Sequence, residues 1–133
     1  MRRILLAIGV AAVLLSGCGP EADRNTARAV TDRFFAALDS SNGDQACAQL
    51  SPDTRSELES QESKPCREAI TGLGLEGAPV ASVHVYVLNA IAELANGDAA
   101  FLENGSEGWR LSAVGCKASE KPTARPYDCD VED

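Results

Sequence analysis

One histidine and a scatter of carboxylates are what this chain of 133 residues offers to acid–base chemistry. His84 stands in Ser82-Val83-His84-Val85-Tyr86, where strand alternation puts it on the face shared by Tyr86 and Leu88. An imidazole beside a phenol can move a proton or hydrogen-bond a ligand. The plainer reading, a histidine near a strand end satisfied by backbone or water, is preferred. Trp109 and Arg110 are neighbours in another extended stretch and point to opposite faces. Trp109, with Leu111 and Ala113, is expected to pack under helices, and Arg110 to face solvent or a carboxylate. Trp109 joins His84 and Tyr86 as a candidate pocket residue, since an indole can also hold a cation or stack on a ligand. Glu93 and Glu103 would meet across a hairpin at Asn96-Gly97, where paired carboxylates can do acid–base work or bind calcium. A solvated face with the like charges offset is the expectation for them. The acidic end, Asp128, Asp130, Glu132 and Asp133, lacks the glycine-turned spacing of a calcium loop and reads as a solvated tail. No catalytic signature emerges, so no catalytic residue, metal or cofactor is assigned.

Thiols are the other reactive groups. Arg2 and Arg3 precede an uncharged run from Ile4 to Leu15, and small Ser16 and Gly17 lead to Cys18. A basic start, a short apolar stretch and small residues before a cut site describe a secretory signal over residues 1–17. The run is too short for a membrane span, which needs roughly 20 apolar residues. Leu15-Ser16-Gly17-Cys18 resembles the lipobox of bacterial lipoproteins. That resemblance implies cleavage before Cys18, a diacylglycerol thioether on its sulfur, and a lipid anchor at the extracytoplasmic face of the cell membrane. Two acyl chains such as palmitate hold a protein stably, at about 0.8 kcal/mol per buried methylene.

In an exported domain the remaining four cysteines, Cys47, Cys66, Cys116 and Cys129, read as two disulfides. Three connectivities are open; Cys47–Cys66 and Cys116–Cys129 are favoured because each pair is close in sequence. Each such loop contributes about 3 kcal/mol in the chain-entropy picture. A four-cysteine zinc site is disfavoured because no C-x-x-C pair occurs.

The whole chain carries a net charge of −8, and without Arg2 and Arg3 ten basic residues face twenty acidic ones. Such a surface repels nucleic acid and anionic headgroups, so nucleic acid is excluded as a partner and the lipid, not the protein surface, is expected to hold the membrane. The length suits one domain with a real core.

The elements that must position these residues follow from periodicity. Residues 18–24 read as the lipidated cysteine and a short tether, and residues 25–133 as a single α+β domain. Ala27, Val30, Phe34 and Leu38 recur at helical spacing, with Asp32 beside the stripe and facing water. Ser40-Ser41-Asn42-Gly43 ends that helix. Asp44 is expected to cap a short second helix, and Ser51-Pro52 to start a third that fades over residues 59–63. Pro65 opens a fourth, closed by Gly72 and Gly74. After Pro79 the period changes to two: residues 81–94 read as one long strand, Asn96-Gly97-Asp98 as a hairpin turn, and Ala99–Glu103 and Trp109–Cys116 as two further strands. Residues 117–126 read as an irregular loop returning to Tyr127-Asp128-Cys129.

Helices first and then an antiparallel meander describe an α+β domain with helices on one sheet face. The stretches "VTDRFFAALDSSNGDQACAQLSPDTRSEL" and "FLENGSEGWRLSAVGCKASEKPTARPYDCDVED" resemble the nuclear-transport-factor-two-like superfamily, also called SnoaL-like, and within it small actinobacterial lipoproteins. The resemblance implies N-terminal helices on a curved, cone-shaped sheet with a pocket between the two layers. Enzymatic members place Asp and His in that pocket, whereas this chain has only His84. The expectation is therefore a non-enzymatic, lipid-anchored envelope protein that binds a small apolar ligand or an envelope partner. The alternative is an isomerase- or hydrolase-like enzyme using His84 and Tyr86.

Overall fold

Pro20 has no amide hydrogen and a fixed φ, which suits the first helical position, and Glu21 and Asp23 set negative charge beside the free N–H groups of the first turn. From Pro20 the first helix, α1 (Pro20–Asp39), runs for 20 residues in the computed structural model, which describes residues 19–120 and 126–133. Cys18 and the segment before it lie outside the described residues. Residues 20–24, expected as part of a tether, belong instead to α1. Along α1, Ala27, Val30, Thr31, Phe34, Phe35 and Ala37 form the buried stripe while Asp32 is exposed, as the spacing predicts.

Ser41 takes a positive φ of 56° and releases the chain into α2 (Gly43–Cys47). Asn42, not Asp44, caps this helix, its Oδ1 accepting the Gln45 N–H at 3.1 Å. A cap must stand one residue before the first helical one, and Asp44 is already inside the turn. A Cβ on Gly43 would overlap the Arg67 carbonyl, so only glycine allows this approach to the fourth helix. Helix α3 (Pro52–Glu62) begins as expected: the Ser51 hydroxyl accepts the Thr54 N–H at 3.2 Å with Pro52 at the first position. It persists through its polar end until Ser63 turns left-handed. Helix α4 (Cys66–Gly72) follows Pro65, and the Cys47–Cys66 disulfide joins it to α2.

The strands are β1 (Val80–Tyr86), β2 (Asn89–Leu94), β3 (Ala99–Gly105), β4 (Gly108–Ala118), β5 (Tyr127–Asp128) and β6 (Val131–Glu132). They form an antiparallel sheet in the order β1-β2-β3-β4, with β5 and β6 both on β4. The single strand expected over residues 81–94 is instead a hairpin. Tyr86 pairs with Asn89, leaving a two-residue loop of Val87 and Leu88, and Val87 adopts φ 56°. No Gly, Asn or Asp marks this loop, and its apolar residues continue the strand pattern, so periodicity could not reveal it.

One sheet face meets the helices. Val83 and Val85 of β1, Ala90, Ala92 and Leu94 of β2, Ala100 and Leu102 of β3, and Trp109, Leu111 and Val114 of β4 join Phe34, Leu50, Leu58 and Ile70 in one core. Burying each large side chain of this kind contributes about 1.5–3 kcal/mol. Ala113, expected beside Trp109 and Leu111, lies in a second cluster with Ala99, Cys116, Phe101 and Tyr127. Irregularities in the β3–β4 pairing on both sides of Phe101 shift the alternation, and Val114 takes the core-facing place. The Cys116–Cys129 disulfide and β5 hold the C-terminal segment against β4. A parallel bridge between Leu50 and Leu111 ties the α2–α3 connection to the same strand.

Candidate functional site

The three residues expected to share a pocket do not meet. His84 and Tyr86 do alternate together, but on the face turned away from the helices; the His84 side chain is 55% exposed and Tyr86 is 64% exposed. Trp109 is on the opposite face and 4% exposed, its indole N–H donating to the Asp23 carboxylate at 3.0 Å. That bond crosses from β4 to the first turn of α1 and gives the indole a structural task. The space between helices and sheet is filled by side chains such as Phe34, Leu50, Leu102 and Leu111, each below 2% exposed.

His84 finds one carboxylate. Its Nε2 lies 3.6 Å from Glu93 Oε2 on β2, and Ser82 donates its hydroxyl to the same oxygen at 2.5 Å. A serine, a glutamate and a histidine on one face suggest nucleophilic chemistry, but the order of contacts is wrong for it. The base must touch the nucleophile, whereas here Ser82 and His84 both turn to the carboxylate between them. The group is open to water, with the Glu93 side chain 48% exposed. Glu93 and Glu103 do not form the pair weighed for acid–base work: Glu93 is in register with Ala99, and Glu103 with Asn89. Among the described residues no cluster of three or more His, Cys, Asp or Glu is set to hold a metal, the acidic end included.

A wider recess lies elsewhere, where α2, α3 and α4 meet the β3–β4 turn. Arg55, Arg67 and Arg110 line an open cleft of about 520 Å³ together with Asp44, Glu59 and Glu107. Each position has a local cause. Arg55 lies on α3, one turn after the Ser51 cap, Arg67 follows the disulfide on α4, and Arg110 leaves β4 on the side opposite buried Trp109. None of the six makes an ion pair within the described residues, and Arg55 Nε is buried without a hydrogen-bond partner. Arg110 donates one guanidinium N–H to the Trp109 carbonyl at 2.9 Å, and Glu59 accepts the Cys66 N–H at 2.9 Å. Three planar cations with free donors can grip an oxyanion through paired N–H bonds, and the flanking carboxylates can receive an ammonium or hydroxyl group. Sequence reasoning found only Arg110, as a residue for solvent or a carboxylate. The other two come from separate helices with no shared motif, so only the packing of α3 and α4 unites them.

A second recess of about 420 Å³ runs over the sheet face away from the helices, between Phe101, Ala113, Pro126 and Tyr127. Phe101 and Tyr127 meet edge to face there at 5.4 Å. Beyond it, at the β1–β2 turn, Tyr86, Val87 and Leu88 stand out as exposed large apolar residues. No described helix is long and apolar enough to cross a membrane.

Comparison with protein-family models, with curated proteins and with solved structures gave no match.

Proposed function

We propose that this chain is a lipid-anchored, non-enzymatic binding domain of the cell envelope, held at the extracytoplasmic face by Cys18. Its ligand is a small polar molecule bearing a carboxylate or phosphate, taken up in the cleft of Arg55, Arg67 and Arg110. The observation that carries this reading is the cleft itself: three arginines line it, none with an ion-pair partner among the described residues, where one buried arginine N–H also has no acceptor. Arginine's planar fork of N–H donors matches a carboxylate or phosphate, which is the chemistry such a lining offers. The basic start, the apolar run and Leu15-Ser16-Gly17-Cys18 support the anchor. Membership of the nuclear-transport-factor-two-like superfamily belongs to the same proposal and draws on the order of helices before an antiparallel meander.

A small apolar ligand is the second reading, in the groove of Phe101 and Tyr127 and not between the layers, where side chains fill the space. The enzymatic alternative is less favoured, because His84 and Tyr86 are both exposed on the face turned away from the helices. Native mass spectrometry on the chain purified from its own membrane separates these readings. The expected result is a bound acid or phosphate that the Arg55→Gln/Arg110→Gln double variant no longer carries. An empty chain, or a ligand retained in full by the folded double variant, overturns the cleft assignment.

A further inference from the structure

Tyr86, Val87 and Leu88 follow one another at the β1–β2 turn and are 64%, 88% and 57% exposed. The turn itself does not call for them. A two-residue hairpin loop takes positive φ most readily from Gly, Asn or Asp, yet Val87 holds φ 56° with a branched Cβ. Apolar surface left in water and a strained backbone both work against the folded chain, so a contact outside the domain must favour these residues.

The course of α1 indicates what that contact is. Asn104 donates its N–H to the Leu88 carbonyl at 2.8 Å and is in register with Trp109. The Trp109 indole in turn holds Asp23 in the first turn of α1. At the far end of β1, Arg28 reaches the Val80 carbonyl at 2.6 Å, and Gly77 lies directly against the Phe35 ring. α1 therefore runs antiparallel to β1, and its N-terminus lies at the end of the sheet that carries the apolar turn. Gly19, the first described residue, is bonded to Cys18, so the segment that reaches the anchor leaves the domain at that same end.

We propose that the Tyr86-Val87-Leu88 turn inserts into the interface of the bilayer that the acyl chains of Cys18 enter, and so fixes how the domain stands on the membrane. The proposal rests on the reading of Cys18 as lipidated. A phenol suits the headgroup level and two aliphatic side chains suit the layer beneath it. From Cys18 onward ten basic residues face twenty acidic ones, so the chain is repelled by anionic headgroups and the contact is apolar and favours zwitterionic lipid.

The test uses the full chain purified from membranes and reconstituted into phosphatidylcholine vesicles with plain or brominated acyl chains. Tryptophan is introduced by Val87→Trp and, as a second probe at an ordinary strand position, by Tyr86→Trp. Ala95→Trp, beside the turn at the opposite end of the sheet, is the control, and the signal of buried Trp109 is subtracted. The expected result is a blue-shifted emission at positions 86 and 87, most of it lost to brominated chains, with position 95 unaffected. Solution-like, unquenched emission from both probes, on a chain whose intact mass includes the lipid, overturns the inserted turn and leaves the anchor standing. Emission blue-shifted only in native membranes and unquenched in vesicles overturns it in favour of a protein partner. An intact mass without lipid on Cys18 removes the anchor and this proposal together.

Discussion

Asp23 and Trp109 are 86 positions apart in the chain, yet their hydrogen bond fixes the start of α1 against β4. Asp23→Ala leaves a buried indole N–H without its acceptor, for which about 1–3 kcal/mol is expected. Thermal unfolding followed by circular dichroism should show a fall of several degrees, and an unchanged midpoint would mean the bond does not hold the helix. Ser51 is a local counterpart: it is fully buried, caps α3 and also meets the Thr54 hydroxyl at 2.8 Å. Ser51→Ala should cost about 1–2 kcal/mol in urea titration. That cap was readable because Ser-Pro before a helix is chemistry confined to neighbouring residues. Asn42 caps α2 in place of the expected Asp44: both side chains can cap, and only the backbone decides which stands one residue ahead of the helix. Val87 inverts the usual direction of a mutation. Val87→Asn relieves the left-handed strain and should stabilise the chain by about 1 kcal/mol, while removing apolar surface from the turn. A lower midpoint in urea would show that Val87 packs on something the domain needs.

At the scale of elements, the amphipathic stripe of α1, the restart at Pro52 and the Asn96-Gly97 turn were all legible, since each rests on a spacing or a turn residue. The β1–β2 hairpin was not, because Val87 and Leu88 prolong the strand pattern through the very place where the chain reverses. The hairpin is what brings Glu93 of β2 beside His84, a neighbour that one continuous strand could not supply. The irregularities near Phe101 moved Ala113 for a similar reason, since one added residue flips every later side chain. Of the three open connectivities, the disulfides take the one favoured because each pair is close in sequence and sits within one region. Cys47–Cys66 closes a separation of 19 residues between α2 and α4. Replacing both cysteines with serine should cost about 3 kcal/mol, read as a lower urea midpoint. Gly43→Ala should also destabilise, although alanine ordinarily favours a helix, because the new methyl meets the Arg67 carbonyl. A gain in stability from Gly43→Ala would show that α2 and α4 can move apart freely.

For the molecule as a whole, the two ends of the sheet differ in character. One carries the Asn96-Gly97 turn, polar and glycine-bearing; the other carries the apolar β1–β2 turn, the start of α1 and the route to Cys18. Tyr86, Asn89, Glu103 and Arg110 fall in one row across the four central strands, so Arg110 of the cleft lies toward that second end as well. The cleft was the least legible feature, because arginines drawn from α3, α4 and β4 share neither motif nor spacing. The membrane placement depends on Cys18, and one measurement addresses it directly: the denatured, non-reduced intact mass of the chain purified from its own membrane. The account predicts a chain of residues 18–133 carrying a diacylglycerol and lacking four hydrogens for its two disulfides. A chain that retains residues 1–17, or that begins at Cys18 with a free thiol, would contradict it.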